Sequence, residues 1–194
     1  MHRKFFHLVI GLIYLSGIYY EPRFTWLCGY LWLCIFVCFE VLRYFQVPPW
    51  STGLDSLFLI FKDKQDGKVL MTPMYLLFGV FCPLFLDPLT QPRTFQMRHL
   101  AGILTVVVGD SMAAIGGYLY GQQKWPGRNK TYVGSMFMAA SVFLCSTALA
   151  PLCAQPIPSL AYRAACSIVL TFIEAYIENF DNVLLPLVGY VMLL

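Results

Sequence analysis

Four acidic residues stand where acids are expensive. Asp110 interrupts the apolar run VVVGDSMAAIGGYLYG (106–121), and Glu174, Glu178 and Asp181 follow in TFIEAYIENFDNVLLP (171–186). A carboxylate at the centre of a membrane span costs roughly 2.5–3.5 kcal/mol on insertion scales. Spacing of i, i+4 and i+7 puts Glu174, Glu178 and Asp181 on one face of a single helix. Carboxylates so placed repel one another unless a cation compensates. A divalent ion held by oxygen ligands is the chemistry that uses such a set, because magnesium is bound through one or two carboxylates plus substrate phosphates. Glu178 reads equally well as a solvated acid at the interface.

Cations follow Asp110. The loop GQQKWPGRNKTYVG (121–134) carries Lys124, Arg128 and Lys130, a turn at Pro126-Gly127, and backbone amides near Gly127 and Gly134. A helix starting near Thr131 adds its N-terminal N–H groups, which suit an anionic phosphate chain. No GxxxxGK[ST] loop exists, since the Gly-Lys at 67–68 is followed by Val69. Gly117 and Gly121 form a GxxxG pair, which reads as close helix packing. Trp125 reads as an interfacial anchor before a base-stacking group. Two further runs are weaker. HRKFFH sets Arg3 and His7 one turn apart beside Lys4, ordinarily a topology signal. FKDKQDG carries Asp63 and Asp66 without the ligand spacing of an EF-hand, ordinarily a solvated turn.

The elements that must position these residues are membrane helices. The chain has 194 residues, 59% hydrophobic and 12% charged, against about 25% charged in soluble domains. A core of this size cannot hide that surface, so lipid must solvate it. The net charge of +3 is too small to imply nucleic acid. Seven cysteines without a CxxC pair read as apolar packing residues, and the odd count excludes a complete disulfide framework. Apolar runs at about 5–20, 24–44, 70–87, 100–120, 132–152 and 160–179 predict six spans. The tail 183–194 is too short to cross. The expected fold is thus an all-α polytopic bundle of about six spans plus a C-terminal half-span, one membrane-embedded domain over 1–194. No small-x-small cleavage site follows the first run, which reads as a retained span. With the N-terminus cytosolic, nine of the 13 Lys and Arg residues fall on the cytosolic side, the favoured arrangement. The sequon Asn129-Lys130-Thr131 then faces the cytosol and stays unglycosylated. An unbroken fourth helix would set Asp110 about 15 Å below the loop at ~1.5 Å per residue. A break near Gly109 or a water-filled cleft must therefore connect them.

In this order, RKFFH (3–7), FKDKQDGKVLMTPMYLLFG (61–79), GDSMAAIGGYLYG with WPGRNKT (109–131), and EAYIENFDNVLLP (174–186) resemble the dolichol kinase family of CTP-dependent polyprenol kinases. The match covers nearly the whole chain and corresponds to the family's C-terminal catalytic core, without the many upstream spans common in it. One departure stands out: family loops read Lys-Thr-x-Glu-Gly, and Val133 occupies the Glu position.

The resemblance implies transfer of the γ-phosphoryl group of CTP to the hydroxyl of dolichol or a similar polyprenol, giving dolichyl phosphate for glycosylation. It places the reaction at the cytosolic face of the endoplasmic reticulum membrane, with Mg2+ or another divalent cation. On this basis Lys130, Arg128 and Lys124, with Thr131, Gly127 and Gly134, are assigned to CTP. Asp110 and Glu174 hold the metal or take the hydroxyl proton. Asp181 and Asn182 complete the site, and Arg3, Lys4, His7, Asp63 and Asp66 contribute from the other motifs. The substrates are the membrane lipid and the nucleotide, with no nucleic acid. A CTP-dependent diacylglycerol or phytol kinase, or a phosphatidate cytidylyltransferase, is the alternative enzyme. A non-catalytic subunit or small ion-coupled transporter is the alternative outside catalysis.

Overall fold

The computed structural model describes residues 2–59, 67–177 and 180–194, the side chains of 2–4, 51, 52 and 59 excepted. Asp63, Asp66 and Glu178 lie outside the described residues, as do the side chains of Arg3 and Lys4. All described regular structure is helical.

Helices α1 (His2–Tyr20) and α2 (Pro22–Tyr44) are separated by Glu21 alone. Pro22 ends the first helix, because proline disfavours helical backbone in the residue before it, and opens the second. Helix α3 (Ser51–Leu59) is followed by α4 (Thr72–Leu86), again with proline in its first turn. The long central element begins as a 3₁₀ turn, Met97–Leu100, widens into a π-helix, Ile103–Asp110, and continues as α5 (Ser111–Tyr120). Helices α6 (Tyr132–Leu149), α7 (Leu160–Tyr176) and α8 (Asp181–Met192) complete the chain. Thr131 and Ser159 cap α6 and α7, each hydroxyl accepting an N–H from three residues on.

Among the described residues, three helical stretches are long and apolar enough to cross a membrane: Pro22–Tyr44, Met97–Tyr120 and Tyr132–Leu152. Phe5–Tyr20, Thr72–Leu86 and Asp181–Met192 are apolar but shorter. The predicted tail is thus a helix of 12 residues that begins at Asp181. The central stretch is 56% buried and packs on α1, α4, α6 and α8, whereas α2 is 17% buried and lies at the perimeter.

Close approach fixes the registers. Helix α1 runs antiparallel to the central element: a Cβ on Gly11 would sit 2.5 Å from Val107, and the Tyr14 hydroxyl donates to the His99 carbonyl at 2.9 Å. Helices α4 and α8 cross at Gly79, where a Cβ would lie 1.8 Å from the Asn182 carbonyl oxygen.

One expectation is overturned. Glu174 and Asp181 do not share a helix, because α7 ends at Tyr176 and Phe180 takes a left-handed backbone (φ +61°) just before α8. Strain at a non-glycine residue of this kind must be over-determined by its surroundings. The Phe180 ring packs edge-on against Tyr75 of α4, centroids 5.3 Å apart.

A buried charge ties the 45–71 connection to α2. Glu40, 4% exposed, accepts both Nε and Nη2 of Arg43 at 2.8 and 2.6 Å and the Leu70 N–H at 2.7 Å. Arg43 also donates to the Lys68 carbonyl at 2.6 Å and to Asp55 of α3 at 3.3 Å. Leu54, Phe58 and Leu70 pack beneath as a small apolar cluster. Glu40→Ala leaves Arg43 without its main partner and is expected to cost about 3–5 kcal/mol. The measurement is amide hydrogen exchange, in which Leu70 should lose its protection first.

Candidate active site

The loop between α5 and α6 is held by its own backbone. Trp125 N–H donates to the Lys130 carbonyl at 2.9 Å, Arg128 N–H to the Trp125 carbonyl at 3.0 Å, and Tyr132 N–H to the Gln123 carbonyl at 3.1 Å. Gly127 takes φ +71° at the turn, a conformation that a side chain would strain. Trp125 faces protein: its indole N–H donates to Ser135 at 3.0 Å, and its ring lies 4.4 Å from Tyr132 and 5.9 Å from Tyr176. It pins the loop to α6 and α7, a role the sequence reading of an interfacial anchor or base platform missed.

That pinning delivers Lys130. Its ammonium pairs with Glu174 of α7 and lies 3.6 Å from Asp181 at the start of α8. Glu174 is 2% exposed, so the cation that its burial demands comes from a loop 44 residues away in sequence. Burial pulls the Lys130 ammonium toward neutrality. The Glu174 carboxylate and its hydrogen bond, then Asp181 and Asp110, outweigh that pull and hold it above the ordinary lysine value of 10.5. With the folded value raised, the stabilisation is complete below 10.5 and is lost only as pH rises through the higher value.

A cleft of about 350 Å³ descends beside this cluster. Asp110, Lys124, Asn129, Lys130, Thr131, Ser135 and Glu174 supply its polar lining, and Ala113, Ala114, Gly117 and Tyr118 of α5, with Gly121 just after it and Gly134 of α6, the remainder. The small residues of α5 leave the space. The cleft supplies the connection that the depth of Asp110 required, and the central helix remains unbroken. Asp110 ends the π-helical turn, a rare local geometry that occurs often at functional sites. His7 of α1 stands behind it, Nε2 3.8 Å from Asp110 Oδ2.

Of the residues singled out from sequence, Asp110, Glu174, Lys124, Lys130, Thr131 and Gly134 line one cleft. Asp181 joins through Lys130, and His7 through Asp110. Gly127 and Arg128 form the turn tip, away from that lining, and Asn182 packs its carbonyl against Gly79. Asn129 and Ser135 were missed. The signal for Ser135 was its position one turn beyond the Thr131 cap.

The donor chemistry fits a hard cation. Asp110, Glu174, Asn129 and Ser135 offer oxygen, and among the described residues no three His, Cys, Asp or Glu side chains form a closed cage. That set suits magnesium shared with a phosphate chain. Glu174 is engaged by Lys130, and Asp110 lies near His7.

Comparison with known proteins bears on what this cleft does. The chain is 32% identical to the dolichol kinase of Mus musculus over 204 aligned positions, 99% of this chain. The chain is a homologue of dolichol kinases. The human dolichol kinase matches equally, at 32% over 99% of the chain, and Dolichol kinase EVAN of Arabidopsis thaliana at 28% over 98%. The homologue spans 38% of the length of the mouse protein and 37% of the human one. No family model and no solved structure matches it.

Helices α5 and α6 pack closely beside the cleft: a Cβ on Gly134 would meet the Ala113 carbonyl oxygen at 2.8 Å. That oxygen belongs to backbone and cannot swing aside. Gly134→Ala in this homologue should therefore cost about 1–3 kcal/mol by forcing the helices apart, read as a lowered thermal midpoint in detergent.

Proposed function

We propose that residues 1–194 act as one membrane-embedded catalytic unit that transfers the γ-phosphoryl group of CTP to the hydroxyl of dolichol or a related polyprenol. On this reading α1, α2, α4, the Met97–Tyr120 stretch, α6 and α7 are six spans and α8 a half-span. The N-terminus and the cleft face the cytosol at the endoplasmic reticulum membrane, and dolichyl phosphate serves glycosylation. The observation that carries the reading is one cleft holding Asp110 at depth and Lys124, Lys130 and Asn129 at its loop side, in a chain homologous to dolichol kinases throughout.

Phosphoryl transfer asks a protein for positioning and charge neutralisation. Lys124 and Lys130 receive the phosphates of CTP. An ammonium has three N–H donors, so Lys130 can serve Glu174, Asp181 and a phosphate oxygen together. Thr131 and Gly134 hold the loop onto α6 beside them, and Gly127 shapes the turn that carries Arg128. Asp110 would help to hold a divalent cation together with the phosphates, and that ion would supply charge neutralisation during transfer. The alcohol arrives from the lipid side, where its isoprenoid tail stays solvated. Its oxygen attacks the γ-phosphorus, the bond from that phosphorus to the β,γ-bridging oxygen breaks, and CDP leaves with the electron pair. The hydroxyl proton passes to a carboxylate of the cleft.

The test is incubation of purified protein with γ-labelled CTP, Mg2+ and dolichol. Wild type is expected to label the lipid and release CDP, and Asp110→Asn to slow labelling about 100-fold or more. Failure to label any isoprenoid or glycerolipid alcohol would overturn the reading. Release of pyrophosphate would make the protein a cytidylyltransferase instead.

A further inference from the structure

His7 is buried, 7% exposed, in the first helix, far in sequence from every other group of the cleft. Along α1 the buried positions His7, Gly11, Tyr14 and Ile18 form one stripe at helical spacing. Gly11 lets that stripe close onto Val107, and the Tyr14 hydroxyl locks it to the His99 carbonyl. The antiparallel register leaves His7 opposite Asp110, with Nε2 3.8 Å from Oδ2 and the two side chains 8% and 15% exposed. Asp110 lines the cleft, and His7, outside that lining, approaches it to 3.8 Å.

We propose that His7 is the positioning residue of Asp110, holding one carboxylate oxygen from behind so that the acid keeps a fixed orientation toward the cleft. The inference rests on the kinase reading above and deepens it. A carboxylate on a widened helical turn can rotate about two side-chain bonds, and a ring nitrogen fixed by a packed helix limits that rotation. Outer partners of this kind typically account for 10–100-fold in activity or metal affinity. The first helix thereby becomes part of the site without touching substrate, which gives the HRKFFH run a physical role beyond topology.

The experiment compares wild type, His7→Gln and His7→Met in lipid nanodiscs with γ-labelled CTP, Mg2+ and dolichol. Gln can place an amide N–H near the Nε2 position, whereas Met fills the space without a donor. His7→Met is expected to lower kcat about 10–100-fold, with KM for dolichol and the thermal midpoint unchanged. His7→Gln should recover most of the lost kcat. In an Asp110→Asn background the His7→Met loss should shrink to less than about twofold, because residues acting through one another are not additive. Wild-type kcat in His7→Met overturns the proposal, as does a His7→Gln variant that folds normally yet is no better than His7→Met. Undiminished loss in the Asp110→Asn background overturns it too. Each of these results leaves the kinase reading standing. A wild type that phosphorylates no alcohol removes that reading, and the role of His7 with it.

Discussion

A single ammonium holds the polar half of this protein together. Glu174 is buried in a helix with no cation of its own within reach, and an uncompensated carboxylate there is strongly unfavourable. Lys130 supplies the compensation from the loop between α5 and α6, and Asp181 shares it from the first residue of α8. Two consecutive helices and a loop 44 residues upstream of Glu174 are thereby drawn to one point. The loop's own hydrogen bonds and the Trp125 contacts with Ser135, Tyr132 and Tyr176 limit the freedom that Lys130 must lose to arrive there.

The same arrangement makes the cleft usable. An acid at the depth of Asp110 is tolerated where it lines a polar cavity, and the small residues of α5 keep that cavity open between the helix and the basic loop. Asp110, Lys124, Asn129 and Lys130 meet at this cleft, while α2, exposed along most of its length, presents apolar side chains at the perimeter. On the function proposed above, this arrangement lets a nucleotide and a lipid alcohol approach from different solvents.

Much of this was legible in the chain. The cost of a carboxylate in VVVGDSMAAIGG marks Asp110 without any structure, and the cations of WPGRNKT include Lys130, which lines the same cleft. Helix starts at Pro22, Thr131 and Ser159 follow from local chemistry. The break between Glu174 and Asp181 was not legible, because the residue that turns the chain is Phe180, held in left-handed backbone by tertiary packing. No glycine or proline signals it. The Glu40–Arg43 pair was equally hidden, since an acid and a base three residues apart on a helix usually sit in water. Only the return of Lys68 and Leu70 to α2 shows that Glu40 is buried. Helical periodicity places residues on faces, but it cannot say which distant segment will cover a face.

The most direct test of this account is a double-mutant cycle between Lys130 and Glu174, using Lys130→Met, Glu174→Met and the pair together, read as unfolding free energy in detergent. If the ammonium exists to compensate the buried acid, Lys130→Met alone strands Glu174 and destabilises the protein most. Replacing both residues should then recover about 1–3 kcal/mol relative to the sum of the single changes. Additive effects, within about 0.5 kcal/mol, would show that the two groups do not depend on each other and would contradict the account.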